Sequence, residues 1–205
     1  DPPADVVPGD VDGWQLEVAL AQNTRWAGGR TTLASRRYFS PTLPVQGLHA
    51  PLDSFSAQGT FSASRPFYVL GSEVTGAWFT VKDGRVIDWQ AETGKEALSA
   101  FFNIDEGARH VGEISLADND TIESRYIEKS IHPHFAKEIT TTITFGGFSL
   151  DTLTTQANDE DILTSKLCES LVRLEIPVGD SHLSVTLQAG DGQIHDVMFE
   201  GVHTL

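Results

Sequence analysis

An α+β fold, a single β-rich mixed domain, is what this sequence predicts, and three observations carry it. Apolar and polar residues alternate through one run after another, the period-two signature of half-buried strands. Asp83-Gly84 lies between two such runs, and Asp-Gly is the strongest short hairpin signal. Thr93-Gly94-Lys95-Glu96 spells a capping box, with Thr93 at the N-cap and Glu96 three residues on, so a helix belongs among the strands.

Taken in order, residues 1–13 (DPPADVVPGDVDG) are rich in Pro, Asp and Gly. They read as a linker or exposed arm ahead of a domain over 14–205. WQLEVAL, from Trp14, alternates and reads as a strand. Thr24 to Arg30 reads as a turn, and residues 38–51, with three prolines, as an ordered irregular loop. A short strand is expected over Gly59–Ser64. The hairpin runs Val74–Val81, then Lys82-Asp83-Gly84, then Arg85–Glu92, with Trp78, Val86 and Trp89 as its bulky side chains. The helix should cover Glu96–Phe102, and a short turn around Asp105–His110 should lead into a strand carrying Glu113. Residues 126–146 mix helical spacing with a Thr/Ile run that favours strand, and Gly146-Gly147 ends the element in either case. Residues 159–170 read as a helix and Leu171–Val178 as a strand. His182–Gln188 and Ile194–Val202 read as a second hairpin.

Of the 205 residues, 40% are hydrophobic, enough for a sizeable core. The net charge of −15 repels phosphate backbones, which argues against a nucleic-acid partner. No apolar run reaches the length of a membrane span, so no membrane association is expected. A start at Asp1 rather than Met reads as a processed or excised form, and the cytoplasm is the expected compartment. The single cysteine, Cys168, excludes an intramolecular disulfide and a CxxC zinc site, and reads as a structural thiol. There is no G-x-S-x-G elbow and no glycine-rich phosphate loop. The acidic run at 158–161 lacks the spacing of a calcium loop.

Three segments carry a resemblance. They are Gln58-Gly59-Thr60 through Arg65-Pro66, Lys82-Asp83-Gly84-Arg85-Val86, and Asp105-Glu106-Gly107-Ala108-Arg109 through Gly112-Glu113. In this order, over about residues 14–179, the chain resembles the carboxyl half of the thermophilic-type metallo-aminopeptidases, the aminopeptidase T and aminopeptidase S kind. The resemblance does not extend to that family's amino-terminal half. It implies a two-metal site, in which divalent ions bridged by carboxylates activate a water and hold the substrate amine.

Carried over residue by residue, the implied ligand set is largely replaced. The family's first ligand is a glutamate four residues before an Ala-Pro pair. Here Ala50-Pro51 is present and the position holds Gln46. The second ligand matches Glu113, in the catalytic position. The third, a histidine, aligns loosely with Thr141. The last motif, His-x-Asp, aligns with Arg173-Leu174-Glu175. Arginine stays protonated and cannot ligate a cation. On an alternating strand Arg173 and Glu175 share a face. Arg173 is therefore expected to pair with Glu113, Glu175 or both, neutralising electrostatically what the metals neutralise in the relatives.

The implied function is a degenerate relative with no metal cofactor, serving as a binding or assembly module. Gln46, His49, Arg173 and Glu175 would line its site. The alternative is a metal-dependent, aminopeptidase-like hydrolase with a rearranged site, holding zinc or cobalt on Glu113, Glu175 and His132 or His134, with Gln46. A third reading is one subunit of a split enzyme. His132-Pro133-His134 is the only close histidine pair, and otherwise reads as ordinary surface or core histidines, as do His110, His182, His195 and His203. The expected partners are a second copy of the chain, or a domain replacing the family's amino-terminal half. A peptide or small-molecule ligand would suit the site.

Overall fold

Alternating strands, not helices, build this molecule. A computed structural model describes residues 15–28, 31–32, 35, 37–39, 47–118, 140–153, 166–190 and 192–204. The described residues open with β1 (Gln15–Glu17), followed by a short ribbon of β2 (Thr31–Thr32) and β3 (Tyr38–Phe39). Next come β4 (Leu48–Pro51) and β5 (Gln58–Ser62). Two hairpins follow: β6 (Phe67–Val69) with β7 (Ser72–Val74), and β8 (Trp78–Lys82) with β9 (Arg85–Gln90). Then come the helix α1 (Lys95–Phe101), a 3-10 turn at Gly107–Arg109, and β10 (Val111–Leu116). After β11 (Thr142–Gly146) and β12 (Arg173–Pro177), the described chain ends in a small sheet of β13 (Val185–Gln188), β14 (Ile194–Phe199) and β15 (Val202–His203).

Two antiparallel four-stranded sheets organise the fold, ordered β1-β5-β8-β9 and β12-β11-β10-β4. One face of each meets the core with α1. Phe145 on β11 touches Phe61 and Phe79 of the first sheet and Phe102 beyond the helix, at ring separations of 6.0, 5.5 and 5.1 Å. Burial of such aromatic area dominates core energetics. The fold is α+β and β-rich, as its alternation predicts. Among the described residues no helix is long and apolar enough to cross a membrane.

The Asp83-Gly84 hairpin turn forms as its sequence predicts, and several other elements differ from expectation. Asp83 and Gly84 both take positive φ, 51° and 74°, the turn a two-residue hairpin needs. The strand expected over Val74–Val81 is split, because β7 turns back to pair with β6 while β8 starts only at Trp78. The capping box does not form. Gly94 holds the N-cap in the left-handed region with no side-chain cap, and the Thr93 hydroxyl lies 2.9 Å from that of Thr75. The stretch expected as irregular loop contains β3 and β4. Thr24 and Ala27, expected in a turn, make isolated bridges to Leu153 and His49. In the helix expected over 159–170, residues 166–170 form a turn and irregular chain, while 159–165 lie outside the described residues. The expected arm over 1–13 and the ambiguous 126–139 lie outside them too, and 142–146 is strand.

Candidate functional site

Glu113 is aimed by a bulge. In a regular strand Val111 and Glu113 would share a face. Here the pairing of β10 with β11 slips between them, so Val111 opposes Phe145 while Glu113 opposes Thr144. Val111 thereby joins the core and Glu113 turns to the other face of the sheet, as an extra residue in one strand permits. Gly112 is the residue that allows it. A Cβ there would sit 1.9 Å from the Gly146 carbonyl oxygen, so the two strands approach as only glycine lets them.

That other face is polar and buried at its centre. Pro51, Glu113, Thr144 and Glu175 lie side by side across β4, β10, β11 and β12. His49, Ser115, Thr142 and Pro177 form the neighbouring row. Glu113, Ser115, Thr142 and Thr144 are each at most 2% exposed. A buried carboxylate must be paired and hydrogen-bonded, and Glu113 is. Arg173 Nη2 donates to its Oε1 at 2.8 Å and to Glu175 Oε1 at 3.3 Å. The Ser149 backbone N–H donates to Glu113 Oε2 at 2.6 Å, and the Ser149 hydroxyl lies 3.2 Å from Oε1. Arg173 Nη1 donates to the same hydroxyl at 2.9 Å. Glu113, Ser149 and Arg173 thus close a ring, and Glu175 joins it through Arg173.

Ser149 reaches Glu113 from a 3-10 turn, Leu150–Thr152, that starts just after it. Asp151 in that turn is held from two sides. His49 Nε2 lies 3.1 Å from its Oδ1, and the Arg25 guanidinium donates to its carbonyl at 3.2 and 3.3 Å. His49 therefore supports the turn rather than joining Arg173 and Glu175. Thr141 does not face the cluster either. Its hydroxyl pairs with the Ala117 backbone and the Met198 sulfur, and Thr144 is the residue between Glu113 and Glu175. Gln46, His132 and His134 lie outside the described residues. Among the described residues no three His, Cys, Asp or Glu side chains are grouped to hold a metal ion.

Two further groups are structural. Burial pushes the Cys168 thiol up to about 12, and its Sγ donates to the Gly107 carbonyl, so no thiolate is available at neutral pH. Burial raises the Asp105 carboxyl, but hydrogen bonds from Ser170, Leu171, Ala108 and Gly107 outweigh it, leaving it below the ordinary aspartate value. Asp105 thereby fixes the chain just before β12, and with it the position of Arg173.

The profile of a family described as thermophilic metalloprotease (M29) matches residues 9–203. The chain belongs to that family. It is 28% identical over 191 residues to aminopeptidase T of Thermus aquaticus, covering 92% of this chain and 46% of the relative. It is 25% identical over 194 residues to aminopeptidase 2 of Geobacillus stearothermophilus, covering 90% and 45%. The structure of wild-type AmpT from Thermus thermophilus superposes with a TM-score of 0.86 at 27% identity, over 94% of this chain and 48% of that one. The chain spans about half the length of the curated relatives it matches. Sequence reasoning missed three contributors. Thr144 carries no motif of its own and is placed between Glu113 and Glu175 only by strand register, Ser149 acts partly through its backbone, and Gly112 carries no side chain.

Proposed function

We propose that this M29 relative is degenerate and metal-free, and that it serves as a binding or assembly module rather than as a peptidase. The observation that supports this is Arg173, whose guanidinium stands 2.8 Å from the buried Glu113 carboxylate. A divalent ion ligated by Glu113 would face that positive charge at close range and low dielectric. Both Glu113 oxygens are already engaged by Ser149 and Arg173. Among the described residues, the donors around Glu113 do not make a set for two divalent cations.

In this reading Glu113 keeps the relatives' carboxylate as a structural charge, and Arg173 replaces their cations. The polar face is then a recognition surface for a small molecule or peptide. The module would self-associate or pair with a partner domain, which sedimentation velocity would report as a species heavier than one chain. The direct test is an assay with a leucyl substrate and added zinc or cobalt. Neither cleavage nor a rise in melting temperature is expected. Metal-dependent turnover would restore the rearranged hydrolase.

A further inference from the structure

Among the described residues, the cluster around Arg173 carries two carboxylates against one guanidinium, which leaves one negative charge uncompensated. That charge falls on Glu175. Its Oε1 accepts from Arg173, while its Oε2 accepts from no group among the described residues, and the side chain is 22% exposed. Thr144 lies directly opposite Glu175 on the neighbouring strand, and Thr142 is the next residue of β11 on the same face. Both hydroxyls are buried and without a hydrogen-bond partner among the described residues. Buried hydroxyls are almost always satisfied, so two orphans on one dry face are a signal. The Arg173 charge weighs against a dication, whereas a monocation would complete neutrality. Carboxylate and hydroxyl oxygens are hard donors, suited to an alkali ion and to the N–H groups of a protonated amine alike.

We propose that Glu175, Thr144 and Thr142 form a site for a singly charged hard cation, an alkali ion or the protonated amino group of a small molecule. This rests on the metal-free reading and gives its recognition surface a ligand class. The test is the melting temperature of the full chain in chloride salts at fixed ionic strength. Tetramethylammonium is the reference, since it is bulky and has no N–H. Sodium, potassium, ammonium and methylammonium are the probes. At least one probe should raise the melting temperature saturably, by about 2–4 °C over the reference. A response to sodium or potassium assigns an alkali site. A response to ammonium and methylammonium alone assigns an amine site. Glu175→Gln and Thr144→Val should each abolish the response. Thr144→Val should melt no lower than wild type in the reference salt, which separates loss of the site from loss of the fold. Equal melting in all salts, or a response that survives Glu175→Gln, would overturn the proposal. A stoichiometric divalent metal in the purified protein would instead overturn the metal-free reading, whatever the salts show.

Discussion

The two faces of the β12-β11-β10-β4 sheet are both largely buried, and they are chemically opposite. One presents Leu116, Ile143, Phe145, Leu174 and Ile176 to the core. The other buries Glu113, Ser115, Thr142 and Thr144. The first face is what folding demands, because apolar burial drives it. The second works against folding, since each polar group must be compensated or left costly. Glu113 is fully compensated by Arg173 and Ser149, whereas among the described residues nothing compensates Thr142 and Thr144. A face that burdens stability and is only partly satisfied is where a ligand has something to supply.

The comparison can be broken by substitution on either side. Phe145→Ala should have the largest effect, a loss of about 3–5 kcal/mol, because its ring joins both sheets and the helix segment. Denaturant unfolding would measure it. Arg173→Ala should cost less, about 2–4 kcal/mol, the penalty of a broken buried pair reduced because Arg173 is itself part-exposed. If it cost nothing, Glu113 would not depend on the guanidinium. Thr144→Val should go the other way, stabilising by about 1 kcal/mol when no ligand is present, since it removes an unpartnered buried hydroxyl.

The smallest effect concerns how β12 is held. The Asp105 carboxyl lies below its ordinary 3.8 in the folded chain. A group depressed on folding adds stability above its unfolded value and loses it as pH falls through the folded one. Wild type should therefore lose stability below about pH 4. Asp105→Asn should be less stable at neutral pH and show a shallower acid limb in melting temperature against pH.

How much of the fold and the site was legible in the sequence differs from element to element. The Asp83-Gly84 hairpin was, because positive φ at both positions restricts the residues that fit. The β6–β7 hairpin was not, since Leu70 holds a positive φ of 49° at its turn and leucine signals no turn. Strand β4 was masked by the prolines in and before it, yet Pro51 is tolerated because β4 is the edge strand of its sheet, met on its outer side among the described residues by the isolated bridge of Ala27 to His49. The capping box failed because Thr75 competes for the Thr93 hydroxyl, a contact 18 residues away. In the site, the pairing of Arg173 with both carboxylates follows from strand alternation plus the family resemblance. The bulge had a readable trace: Gly112, Ile114 and Leu116 keep one phase, and Val111 is apolar out of phase. Ser149 had none, because a backbone N–H has no residue identity.

Elemental analysis of protein purified without chelator or added metal tests the central claim most directly. On the proposed metal-free reading, zinc, cobalt, manganese and iron should all be far below one equivalent per chain. One or two equivalents, lost on mild chelation together with thermal stability, would contradict the claim.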